Sequence, residues 1–97
     1  MDDFDGFEWD ADKSERCFQE RKFDFDHAAK VFEEDYIEWE DRRANHGEAR
    51  FITVGEVESR VLAVIWTPRG TIRRIISART ASKRERKRFH GDRETKQ

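Results

Sequence analysis

Apolar positions along the 97-residue chain follow two different periods, and each change of period marks an element boundary. Phe25, Ala28, Ala29 and Phe32 stand at i, i+3, i+4 and i+7, one stripe of an α-helix. Asp24 is its N-cap, and Asp26 in the first turn suits the helix dipole. Upstream, Phe4, Phe7 and Trp9 alternate weakly and predict a short edge strand. Asp10 caps an intervening helix over residues 11–22, whose apolar face (Ser14, Cys17, Phe18) is narrow. After Asp35 the period shortens: Tyr36, Ile37 and Trp39 predict a strand, and residues 40–47 a polar loop. Residues 51–54 and 60–67 predict two more strands, separated by a polar turn at 55–59.

The run Val61-Leu62-Ala63-Val64-Ile65-Trp66 does not alternate, as expected of a central strand covered on both faces. Pro68-Arg69-Gly70 makes a tight connection to a strand over 71–78, since Pro fixes φ and Gly accepts a positive one. Ser82-x-x-Glu85 is a capping box that opens a final helix to about Phe89, its main apolar anchor. The order β-α-α-β-β-β-β-α predicts an α+β fold in one domain over 1–97. A small antiparallel sheet of four to five strands carries its helices on one face, and the ends, 1–5 and 91–97, fray.

Composition makes this a thin core. Leu, Ile, Val and Phe total 20 residues with a single Leu, so eight Phe and three Trp carry much of the packing. A chain this short buries roughly 60–65% of its unfolded surface, and a permanent partner covering more apolar area is physically attractive. One cysteine, Cys17, excludes an intrachain disulfide and a Cys-rich zinc pattern. An acidic N-terminus and the absence of a long apolar run argue against a signal peptide and a membrane span, so a cytoplasmic location is expected.

Charge changes the picture more. Residues 1–41 hold 16 Asp and Glu against 5 Lys and Arg, whereas residues 42–97 hold 6 against 15. The near-neutral total of −2 thus hides a strongly basic second half, which attracts a polyanion, nucleic acid first. No Gly-rich phosphate loop, paired His or Ser-His-Asp set is evident, and His27, His46 and His90 are scattered. Neither metal nor cofactor is expected.

A basic strand running into a basic helix remains. On strict alternation Arg73, Ser77 and Arg79 share one strand face and form a candidate phosphate-binding row, extended by Lys83 and Arg86. Pairing of Arg73 or Arg74 with the acidic helices is the competing reading. Arg79 ends its strand just before a helix N-terminus, where backbone N–H groups also favour an anion. Glu48 and Arg50, two apart, project from one face of an incoming strand, either as a plain salt bridge or as catalytic groups. RNA is cut without metal when a base deprotonates the 2′-OH, cations stabilise the crowded phosphate and an acid protonates the 5′-oxygen. Glu48 suits the first role or orients another base; Arg50, Arg73 and Arg79 suit the second; His46 and Lys83 are the candidate acids. Trp39, Phe51 and Trp66 serve either core packing or base stacking.

These pieces together resemble the BrnT family of type II toxins, which are similar to RelE-like ribonucleases. The matching segments are Phe7-Glu8-Trp9-Asp10, Gly47-Glu48-Ala49-Arg50, Thr67-Pro68-Arg69-Gly70 and, most specifically, Arg74-Ile75-Ile76-Ser77-Ala78-Arg79. The resemblance covers about residues 7–89. It implies a RelE-like fold and an endoribonuclease toxin that inhibits translation, neutralised by a BrnA-type antitoxin in a hetero-oligomer. It further implies that operator DNA is reached only through that antitoxin. In the first helix the family usually has an Asn followed by a Lys-His-Gly turn, where this chain has Cys17 and Glu20-Arg21-Lys22. That departure leaves open a catalytically weakened co-repressor partner. A non-catalytic basic RNA-binding module is the further alternative.

Overall fold

Five strands, β1 (Gly6–Trp9), β2 (Tyr36–Glu40), β3 (Phe51–Val57), β4 (Arg60–Arg69) and β5 (Ile72–Thr80), form one sheet in the order β1-β5-β4-β3-β2. The computed structural model describes residues 4–43 and 47–95. Helices α1 (Ala11–Arg21), α2 (Phe25–Ala28) and α3 (Lys83–Thr95) complete the α+β fold, and α2 continues as a 3-10 segment, Ala29–Glu33. Strands β2 to β5 are an antiparallel meander. The edge strand β1 differs from the antiparallel expectation: it pairs with β5 in parallel, because α1 and α2, the meander and its turns intervene before the chain reaches β5.

Two cores explain the uninterrupted apolar run of β4. On one face Leu62, Val64 and Trp66 meet Cys17 of α1, Phe25 of α2 and Val31 of the 3-10 segment. On the other, Val61 and Ala63 meet Ile52, Val54 and Phe89. The third helix therefore lies across the sheet from the first two, so the helices do not share one face as the sequence suggested. A strand apolar on both sides needs cover on both sides, and Phe89, 1% exposed, supplies it. α3 also runs past Phe89, to Thr95.

Turn chemistry sets the meander's register. Glu58 and Ser59, with φ of 49° and 72°, are the central pair of a two-residue hairpin between Val57 and Arg60. β3 thus extends through Gly55, expected in the turn. A Cβ at Gly55 would sit 3.2 Å from the Val31 carbonyl oxygen, so glycine lets the 3-10 segment press on the sheet. Trp66 Nε1 donates to Thr53 Oγ1 at 2.8 Å, and Thr53 donates in turn to Glu38, which satisfies a hydroxyl buried between β2 and β4.

Candidate active site

Strict alternation fails once, in β5. Trp66 pairs with Ile75 but Ile65 pairs with Ser77, so Ile76 is an extra residue and the strand carries a β-bulge. Ile75 stays with the core of α1 and α2, whereas Ser77 and Arg79, opposite Ile65 and Ala63, turn to the α3 face. Arg73 precedes the bulge and is left on the other side. It is 8% exposed, and its guanidinium carbon lies 4.0 Å from the Phe32 ring centre, 4.5 Å from Phe4 and 5.0 Å from Trp66. A guanidinium enclosed by aromatic faces is held by cation–π attraction in a desolvated setting. Arg73 therefore does not join Ser77 and Arg79 in one row; it ties β5 to the aromatic core.

Arg74 takes the place on the α3 face instead, opposite Thr67, with its guanidinium 3.2 Å from Glu8 of β1. The segment leading into β3 brings up the second cluster. Asp41 N–H donates to the Arg50 carbonyl, and Thr67 Oγ1 donates to the Ala49 carbonyl at 2.6 Å, fastening residues 49–50 to β2 and β4. Glu48 then bridges two guanidiniums, Arg50 at 3.6 Å and Arg69 at 3.4 Å. The geometry thus gives the Glu48–Arg50 pair as an ion pair at the edge of the β4–β5 surface.

Arg79 forms a fork with Glu85 of α3, Nη1 to Oε1 at 2.7 Å and Nη2 to Oε2 at 2.9 Å. Glu85 also accepts from the Ser82 N–H while Ser82 Oγ accepts from the Glu85 N–H, the reciprocal capping box read from the sequence. The Arg79 hydrogen bonds hold the Glu85 carboxyl down at about 2, helped by the cap and opposed by burial. Arg79 is raised in return. A guanidinium has five N–H donors, so Arg79 keeps donors for an anion after the fork is made.

Arg43 was not singled out in the sequence. Asp41 grips it bidentately at 2.9 and 3.0 Å and, chiefly through those hydrogen bonds, raises its pKa. The charges of Arg43, Glu85 and Arg79 act on one another, which brings the loop after β2 to the rim of the same face. An Asp-x-Arg pair at the end of a strand was the available signal, hidden in a loop read as merely polar. Among the described residues this face holds Arg43, Arg50, Arg69, Arg74 and Arg79 against Glu8, Asp41, Glu48 and Glu85.

Lys83 and Arg86 belong elsewhere on α3. At about 100° per residue Lys83 stands roughly 200° around the helix from Glu85. Arg86 reaches back to the Ala81 carbonyl at 2.8 Å. The candidate acid His46 lies outside the described residues. A cavity of about 530 Å³ beside the β3–β4 hairpin is lined by Glu33, Glu34, Asp35, Glu56 and Glu58 against Lys30, a balance that disfavours a phosphate.

An arginine-lined face with a serine and a carboxylate on a meander closed by a capped helix suits phosphodiester chemistry. A family model described as the ribonuclease toxin, BrnT, of type II toxin–antitoxin systems matches residues 9–85. The chain belongs to the BrnT family. It is a ribonuclease toxin of a type II toxin–antitoxin system, with RNA as substrate and an antitoxin protein as partner. Comparison with curated proteins gives no match. The match ends at Glu85, so the family pattern takes in every arginine of the candidate face and stops as α3 begins. Lys22, where BrnT relatives were expected to have glycine, closes α1 in the left-handed conformation at φ 69°, with its N–H on the Phe18 carbonyl. Among the described residues, no helix is long and apolar enough to cross a membrane.

Proposed function

We propose that this BrnT-family toxin is a cytoplasmic, metal-independent endoribonuclease that cuts RNA on the α3-facing side of β4 and β5. The observation that carries the reading is that Glu48, Arg50, Ser77 and Arg79, from two segments distant in sequence, all fall on that one face of the sheet. Glu48 takes the 2′-OH proton or orients the group that does. The freed 2′-oxygen attacks phosphorus, the P–O5′ bond breaks, and a proton is delivered to the leaving 5′-oxygen. The products are a 2′,3′-cyclic phosphate and a 5′-hydroxyl. Arg50 and Arg79 hold the charge that grows on the non-bridging oxygens, and Ser77 donates to the phosphate. The two-point fork with Glu85 fixes the Arg79 donors before RNA arrives, which is the condition under which such charge stabilisation works. Neutralisation is by a BrnA-type antitoxin, and the complex represses its own operon through that partner's contact with operator DNA.

The test uses purified protein and end-labelled RNA in EDTA. Cleavage leaving a cyclic phosphate is expected, falling on the order of 10²–10³-fold in Arg50→Ala and Glu48→Gln. Cleavage that needs added Mg²⁺, or that survives both substitutions, overturns the assignment. The engagement of Arg79 and Arg50 by carboxylates also favours a weakened co-repressor partner. Under that reading, induced expression without the antitoxin causes no growth arrest.

A further inference from the structure

We infer that the outer face of α3 is a second RNA contact, a docking surface for the phosphates of a helical RNA segment flanking the strand that is cut. It rests on the ribonuclease reading above and adds the kind of RNA that the toxin takes. Charge balance separates the two surfaces. On the candidate active face five guanidiniums stand against four carboxylates among the described residues, so that face contributes little net positive field. α3 is different. Lys83, Arg84 and Lys87 are exposed, and none of the three forms an ion pair among the described residues.

Helical geometry puts these cations together. With Phe89 pointing into the core, Arg84 and Lys87 project within about 40° of the opposite direction, and Lys83 follows one step round. Arg88 lies on the flank, its guanidinium 4.6 Å from the Trp39 ring centre. The capping box and the Arg79–Glu85 fork lock the first turn of α3 to β5, so the cations are presented on a fixed rod.

The make-up of this face selects its occupant. Protein interfaces are centred on apolar and aromatic anchors and are depleted in lysine, whereas Lys83, Arg84 and Lys87, the outward side chains up to Lys87, are all cations. Reading single-stranded bases needs an extended aromatic platform, whereas His90, beside Lys83 round the helix, is a single ring among the described residues of this face. Cations on a rigid rod match phosphates whose positions are already fixed, as in a helical segment. A flexible strand would have to be ordered first.

The experiment is fluorescence anisotropy with a labelled RNA duplex lacking any cleavable single strand, titrated from 50 to 300 mM salt. The wild type is compared with the double variant Arg84→Ala/Lys87→Ala and with Arg16→Ala, which removes an exposed cation of α1 across the sheet. The double variant is expected to weaken duplex binding and to lower the log–log salt slope by about 1.8, two contacts at about 0.9 each. Charge reversal, Arg84→Glu/Lys87→Glu, weakens binding further. Arg16→Ala leaves duplex binding unchanged. Because this readout is binding to an uncleaved RNA, it stands whether or not the cleavage assay supports the active face. An unchanged slope in the double variant overturns the inference. So does tighter binding to a DNA duplex of equal length, or a double variant that keeps duplex RNA but loses the antitoxin, which would make the face a protein dock.

Discussion

Replacing Glu85 by glutamine removes one charge. The amide keeps the shape of the carboxylate and its oxygen can still accept from the Ser82 N–H, so the cap survives, while the charge is lost together with the second hydrogen bond from Arg79, where an amide NH2 cannot accept. Lowering a carboxyl from 4.5 to about 2 is equivalent to about 3 kcal/mol at roughly 1.4 kcal/mol per tenfold change. Arg79 remains 31% exposed, and solvent screening reduces this to about 2 kcal/mol. For a domain of this size that is a fall of roughly 10 °C in thermal midpoint at pH 7. Its pH dependence follows from the folded carboxyl titrating below the unfolded one. The stabilisation is complete above pH 4.5 and is lost as pH falls towards 2, because the unfolded chain takes up the proton first. The gap between wild type and Glu85→Gln should therefore shrink to roughly half or less by pH 3. Urea titrations of both proteins at pH 7, 5, 4 and 3 measure it. No gap at pH 7, or a gap that ignores pH across this window, would show that the fork adds no ionic stabilisation.

Other perturbations separate packing from chemistry. Arg73→Leu removes a guanidinium held among Phe4, Phe32 and Trp66, and should cost about 2 kcal/mol in denaturant stability while RNA affinity at a permissive temperature is unchanged. The opposite pattern would return Arg73 to the RNA site. Gly55→Ala places a methyl group 3.2 Å from the Val31 carbonyl oxygen and 3.3 Å from its Cβ, and should destabilise by about 1–3 kcal/mol in the same titration. Lys22→Gly relieves a left-handed lysine at the end of α1 and should raise stability by roughly 0.5–1 kcal/mol; a loss would show that the Lys22 ammonium bond to the Gln19 carbonyl matters more.

Local signals carried most of the elements. The Asp10 and Asp24 caps, the Ser82–Glu85 box and the Gly70 turn each act within a few residues, and each appears where the sequence placed it, whereas the stripe from Phe25 is α-helical only to Ala28 and then tightens into the 3-10 segment that presses on Gly55. The double-sided apolar run of β4 likewise announced a central strand. Its cover by α3 was not readable, since Phe89 looks the same in sequence whichever face its helix crosses. Pairing of β1 was hidden for a related reason, because parallel or antiparallel docking of an edge strand depends on how the chain returns to it.

Which arginines share a face turned on a single residue. Side chains alternate with period two, so the unpaired Ile76 moves everything after it to the opposite face, parting Arg73 from Ser77 and Arg79 and putting Arg74 in its place. No composition or spacing rule marks a bulge in a run of β-branched and charged residues. Local pattern thus set the number and kind of elements, the basic second half and the residue types available for RNA chemistry. Which of those charges meet was settled only in the folded chain, because strand register and ion-pair partners depend on contacts between residues far apart in sequence.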